Sequence, residues 1–157
     1  MAPRVRVKDH GYNALMARMA GAARKRGVVT VGIHEAEGSA PEGDSGLSVA
    51  EIAALHELGL GGQEERSFIR AYVDENEAEI NEDLQKIVRG LVKGTVSTTE
   101  QGLERFGLKT VGGMQKRISD GGVHPEDKPA TVARKGSSIP LLDDGILRSS
   151  ITHKVEK

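Results

Sequence analysis

The residues from Ser48 to Arg70 restrict the fold more than any other stretch of the chain. They read Ser48-Val49-Ala50-Glu51-Ile52-Ala53-Ala54-Leu55-His56-Glu57-Leu58-Gly59 and then, after a short gap, Glu65-Arg66-Ser67-Phe68-Ile69-Arg70. The first half predicts a short helix with both ends written in. Ser48 accepts from the free N–H groups of the first turn, and Glu51 reaches back to the Ser48 N–H, the Ser-x-x-Glu capping box. Val49, Ile52, Ala53 and Leu55 recur at helical spacing. Gly59 takes the left-handed conformation that ends a helix. Gly61 and Gly62 then form a turn before Arg66 and Phe68 open a second, longer helix. None of these groups is a catalytic one.

The flanking residues extend this corner into an α+β pattern. Residues 11 to 26 predict a first helix with Tyr12, Leu15, Met16, Met19 and Ala23 on one face. Gly27 ends it. Val28-Val29-Thr30-Val31-Gly32-Ile33-His34 is short and β-branched, so it predicts a strand. Residues 36 to 46 have loop chemistry throughout. The long helix runs from about Phe68 to Val92, with Ile69, Val73, Ile80, Leu84, Ile87, Val88 and Leu91 as its apolar positions. Its acids come early and its bases late, which suits the helix dipole. Gly94 stops it. Ser97-Thr98-Thr99-Glu100 is a second capping box, starting a third helix through Leu103, Phe106, Val111, Met114 and Ile118. Gly102, Gly107, Gly112 and Gly113 within it indicate close packing against a neighbour, or a bend. Residues 120 to 140 predict a long ordered loop with a helical turn near 130 to 135. The final strand, Ser149 to Val155, alternates apolar and polar residues and is expected to pair with residues 28 to 34.

A chain of 157 residues supports one domain with its own core. It has two Phe, two Tyr and no Trp, so aliphatic residues and Met must build that core. No cysteine is present, which removes disulfides and thiolate chemistry and suits a reducing cytoplasm. No apolar run approaches the ~20 residues that span a bilayer, and residues 1 to 8 lack the apolar stretch of a signal peptide. The net charge of −1 gives no overall pull toward nucleic acid or membrane. Its distribution is uneven. Residues 1 to 34 carry Arg4, Arg6, Lys8, Arg18, Arg24, Lys25 and Arg26 against Asp9, whereas residues 35 to 65 carry eight acids and no Lys or Arg. Either these are two solvated surfaces, or they steer copies head to tail.

Four motifs invite a chemical reading. Gly43-Asp44-Ser45-Gly46 matches the tetrapeptide around the nucleophile of trypsin-like proteases, but that chemistry needs a positioned His and Asp on two β-barrels. A turn is the ordinary explanation. His56-Glu57 and His34-Glu35 lack the second His of a zinc metalloprotease helix, so a half-exposed His at an element end is expected. Asp143-Asp144 before Gly145 reads as a turn or cap. The basic residues at 4 to 8 and 24 to 26 lack interleaved aromatics, so a protein-docking or solvated face is expected. No metal or cofactor is called for.

Two separated stretches resemble bacteriophage head–tail joining proteins, also called neck or tail-completion proteins, with relatives of the minor tail protein Z type. Residues 47 to 59, followed by Glu65-Arg66-Ser67-Phe68-Ile69-Arg70, are similar to that family's His-Glu-aromatic-Gly helix, glycine-rich turn and Arg-(Ser/Pro)-Phe-(Leu/Ile)-Arg opening of a long acidic helix. Residues 135 to 151, with Pro140, Asp143, Gly145, Leu147 and Ser150, are similar to its Pro-Leu-(Ile/Val)-Asp-Thr-Gly-x-Leu-x-x-Ser-Ile. Glu64 stands near the usual Pro, Leu58 at the usual Phe and Asp144 at the usual Thr. The resemblance singles out His56, Glu57, Gly59, Arg66, Phe68 and Arg70 as assembly or signature positions. Arg66 and Arg70, cations in a first helical turn, need carboxylate partners such as Glu57 or Asp143. Phe68 is expected to anchor the corner. The acid-rich loop with Glu35, Glu37, Glu42 and Asp44 is the candidate contact for a neighbouring subunit.

The combined expectation is a single α+β domain over residues 1 to 157: a small antiparallel sheet on three main helices, one of them long, with extended loops at 35–47 and 120–140. The resemblance implies a non-enzymatic structural protein of a tailed-phage virion, assembled in the host cytoplasm and needing no cofactor. It would form a homo-oligomeric ring, a hexamer or else a dodecamer, between connector or adaptor proteins above and tail terminator or tube proteins below. Membrane contact is not expected, and DNA contact is at most incidental. A tail terminator or other minor tail protein is the alternative; a nucleic-acid-binding module or a hydrolase using Ser45 is the remote one.

Overall fold

The computed structural model describes residues 11–24, 26–39, 46–136, 138–141 and 145–156. The element order is α1 (Tyr12–Arg24), β1 (Val28–Ile33), α2 (Glu35–Gly38), α3 (Val49–Leu58), α4 (Arg70–Glu75), α5 (Glu77–Lys93), α6 (Thr99–Ser119), α7 (Pro129–Lys135), α8 (Ile146–Ser149) and β2 (Ile151–Glu156). The fold is α+β, as expected. Its sheet is the antiparallel pair β1–β2, with Val28 opposite Glu156 and Ile33 opposite Ile151. Alternation along β2 puts Ile151 and His153 toward α6, while Thr152 and Lys154 face away. On the outer face the His34 ring bridges two hydroxyls, Thr30 Oγ1 at 3.0 Å and Thr152 Oγ1 at 2.9 Å.

Helix α6, 21 residues long, lies between the sheet and the α4–α5 pair. Its glycines make this possible. Gly107 faces the His153 ring, Gly102 faces Ile87 of α5 and Gly113 faces Tyr72 of α4, each with no room for a Cβ. The expected cause, close packing, therefore holds at three of the four; Gly112 opens to empty space. The main core gathers Val49, Ala53, Phe68, Met114, Ile118, Val123, Leu147 and Ile151.

Four expectations need correction. The helix expected from Phe68 to Val92 is two helices joined through Asn76, whose φ of −113° and ψ of 14° leave the helical region. Its side-chain amide donates to the Tyr72 carbonyl at 2.8 Å, competing with the regular ladder. The longest helix is α6 instead. Its N-cap is Thr98 rather than Ser97, with Thr98 Oγ1 accepting from Gln101 N at 3.1 Å. The stretch expected as loop from residue 36 begins as the turn of helix α2, where Gly38 packs against Ala50 and Ile33 too tightly for any side chain.

The fourth correction concerns α1. Expected among the three main helices packed on the sheet, it has α5 as its main neighbour instead. Tyr12, Leu15, Met16 and Met19 are 43–66% exposed. The helix rests on the end of α5 through its Arg18 side, where the guanidinium lies against Gly94 and reaches the Lys93 carbonyl at 3.5 Å.

Candidate functional site

The signature residues build one corner, beginning at α3. Ser48 Oγ accepts from Glu51 N at 3.3 Å, and Glu51 Oε2 accepts from Ser48 N at 2.8 Å, so the capping box is closed. Hydrogen bonding from Ser48 holds the Glu51 carboxyl below its ordinary pKa. Gly59 ends the helix at φ 63° and ψ 37°. A side chain there is excluded twice over: by the left-handed conformation, and by Glu65, whose Cβ and backbone would lie 3.0–3.2 Å from a Cβ at Gly59. The chain then doubles back, and Arg66 N donates to the His56 carbonyl at 2.7 Å.

This reversal aims the Glu57 carboxylate at the start of α4. That helix opens at Ile69, which has no capping side chain of its own. Glu57 supplies the missing acceptor. Oε2 accepts from Phe68 N at 2.8 Å and Ile69 N at 3.0 Å; Oε1 accepts from Arg70 N at 2.9 Å and Ser67 Oγ at 2.8 Å. Three successive N–H groups that a helix start leaves unmade are thereby satisfied by one side chain from another helix, and the negative charge sits at the positive end of the α4 dipole. Burial pushes the Glu57 carboxyl up, but the N–H groups of Ile69, Arg70 and Phe68 and the Ser67 hydroxyl outweigh it and hold its pKa below the ordinary glutamate value. A carboxylate so occupied is an anchor rather than a base.

The two arginines divide the remaining work. Arg70 pairs with Glu57 as expected, at 3.3 Å from Nε to Oε1. It also donates to the Glu57 carbonyl and to Glu65 Oε1, both at 2.7 Å. Arg66 does not use Glu57. It is only 7% exposed, and it pins the loop after α6 by donating to the carbonyls of Pro125 at 2.9 Å and Glu126 at 3.3 Å. Its carboxylate partners are Glu64 and Asp127, each at 3.4 Å. Nothing local in the sequence points to residues 125–127. The Glu57 cap did leave a signal, because a helix opening without Ser, Thr, Asp or Asn at its N-cap needs an acceptor from elsewhere.

The second signature folds onto the first. Gly145, at φ 82°, leads into α8, and Ser150 Oγ donates to the Ile146 carbonyl at 2.9 Å. Pro140 is buried. Leu147 and Ile151 enter the same cluster as Phe68, which is wholly buried. Both signatures therefore meet in one core. Glu35 and Glu37 lie apart, on α2 against α3; Glu35 is exposed and Glu37 half-buried. Glu42, Asp44, Ser45, Asp143 and Asp144 lie outside the described residues. His56 sits half-buried on α3. Among the described residues no group of three or more His, Cys, Asp or Glu is arranged to hold a metal ion, and no helix is long and apolar enough to cross a membrane.

No family model, curated protein or solved structure matches this chain.

Proposed function

We propose that this protein is a structural component of a tailed-phage virion that joins or completes the tail at the head connector, as a homo-oligomeric ring in the neck. The observation that carries the reading is the convergence of the two neck-protein-like stretches on one corner. Seven of the residues they single out, Glu57, Gly59, Arg66, Phe68, Arg70, Leu147 and Ser150, cap, turn, pin and fill it. Each of these seven has a mechanical task, and this suits a protein whose work is docking. Ring closure needs a head-to-tail contact between two different surfaces of the same chain. The role requires no bond chemistry: binding free energy holds pre-built head and tail together.

Cryo-electron microscopy of the necks of purified particles tests this directly. The expected result is a ring of copies of this chain between connector and tail. Density for the chain at the far end of the tail tube, or its absence from intact particles, overturns the joining role.

A further inference from the structure

We propose that residues 124–136 form a flap that opens and closes on an otherwise intact domain, with Arg66 as its clasp. The inference stands apart from the neck reading and holds or fails without it. The flap leaves the core at Val123, which is wholly buried, and the chain is buried again at Pro140. Between these anchors lies α7. Among the described residues it has no extensive packing against any other helix or strand.

α7 is poorly equipped to hold itself. Its 7 residues fall short of the roughly 12–15 at which even an isolated helix is marginal in water. Its N-cap position is Lys128, which brings no capping hydrogen bond and places a cation at the positive end of the helix. Lys128 Nζ lies 3.8 Å from Glu64 Oε1, a contact between exposed groups that contributes little. Pro129, Ala130, Ala133 and Arg134 are exposed, and Thr131 and Val132 are only half-buried. So short a helix keeps its shape only while something fixes the chain leading into it.

Arg66 does this. Its guanidinium reaches three successive residues just before Lys128: the Pro125 carbonyl at 2.9 Å, the Glu126 carbonyl at 3.3 Å and the Asp127 carboxylate at 3.4 Å. The ion pair is buried on both sides, with 8% of the Arg66 side chain and 7% of the Asp127 side chain exposed, so salt screens it little. The two halves of the clasp differ in rigidity. On the body side, Arg66 N donates to the His56 carbonyl at 2.7 Å, and Glu57 caps the helix that follows. On the flap side, Gly136 ends α7 at φ 71°, where a Cβ would meet nothing within 4 Å, and this leaves room for a pivot. Opening therefore parts the Arg66 contacts and the α7 hydrogen bonds and leaves the corner standing. A segment held this way opens at a lower free energy than the whole domain, and moving elements are drawn from such segments.

Native-state hydrogen exchange followed by NMR tests the flap. The N–H groups of Thr131 and Val132 donate to the Lys128 carbonyl at 2.8 and 3.1 Å, and that of Gly136 to the Val132 carbonyl at 2.9 Å, so these three report on α7. The N–H groups of Met114 and Ile118 in α6 report on the core. After correction for intrinsic rates, exchange at least about a hundredfold faster is expected at the flap sites, with less response to low urea than at the core sites. Arg66→Lys keeps the charge and loses the planar fork. It is expected to speed the flap sites about tenfold further and to leave the core sites within about twofold. Asp127→Asn, made on the flap itself, is expected to act in the same direction and covers the case in which Arg66→Lys fails to fold. Flap sites that exchange at the core rate in the wild-type chain overturn the proposal. So does fast exchange that neither variant changes, the mark of a helix that frays without a clasp. A variant that speeds flap and core equally also overturns it and makes the Arg66 contacts part of the global fold.

Discussion

The Glu57 carboxylate accepts from Ser67, Phe68, Ile69 and Arg70, and each of those donors stands at the start of α4. Hydrogen bonds to a charged group contribute roughly 1.5–3 kcal/mol each in favourable settings, and not additively. Glu57→Gln keeps an oxygen acceptor and removes the charge. It is expected to lower stability by roughly 1–3 kcal/mol, read as a drop in the urea midpoint. The pH dependence has a definite sign. A carboxyl held below its ordinary value contributes stability that is fully present above the unfolded-state pKa, about 4.3 for Glu. That contribution is lost as pH falls through the lower, folded-state value. The wild-type chain should therefore lose stability on acidification below about pH 4 more steeply than Glu57→Gln. Equal midpoints and equal acid slopes for the two proteins would show that the cap contributes nothing.

Helix α6 carries its specificity in what it omits. Gly107 and Gly112 occupy the same helix and have the same intrinsic penalty, roughly 1 kcal/mol relative to Ala. Their surroundings differ. A methyl at 107 would fall within 2.6 Å of the His153 ring carbon Cγ, with a second ring atom closer still, whereas one at 112 would meet nothing within 4 Å. Gly112→Ala is expected to stabilise by up to about 1 kcal/mol. Gly107→Ala is expected to destabilise by about 1–3 kcal/mol through overpacking of His153 against β2, and to weaken the His153–Glu104 pair, now 2.8 Å from Nε2 to Oε2. Thermal unfolding of the two variants side by side decides whether close approach, rather than a bend, is why α6 has glycine at 107. Element boundaries were legible to unequal degrees. The α3 box is unambiguous because Ser48 and Glu51 are the only residues able to close it. At α6, Ser97 and Thr98 are adjacent hydroxyls equally able to cap by residue type, and Thr98 is the one that does.

The molecule as a whole depends on the cluster where the two signatures, the sheet and α6 meet. Phe68 is fully buried at its centre. Phe68→Ala is expected to cost about 3–5 kcal/mol, a large share of the roughly 5–15 kcal/mol typical of a domain. Denaturant unfolding should show a large drop in midpoint, and a variant within about 1 kcal/mol of wild type would move the centre of the core elsewhere. The sequence alone determined the elements whose causes lie within a few residues: the Ser48–Glu51 cap, the Gly59 and Gly94 stops, the β-branched strand at residue 28 and the alternation that pairs it with β2. It also supplied Phe68 as the corner anchor and Glu57 as a partner of Arg70. Tertiary structure decided the rest. It sent Arg66 to Pro125 and Glu126, broke the long acidic helix at Asn76, and left the α1 stripe exposed. The physical reason is one of range. Caps and periodicity are written in neighbouring residues, whereas burial and long-range hydrogen bonding depend on which distant surface arrives opposite.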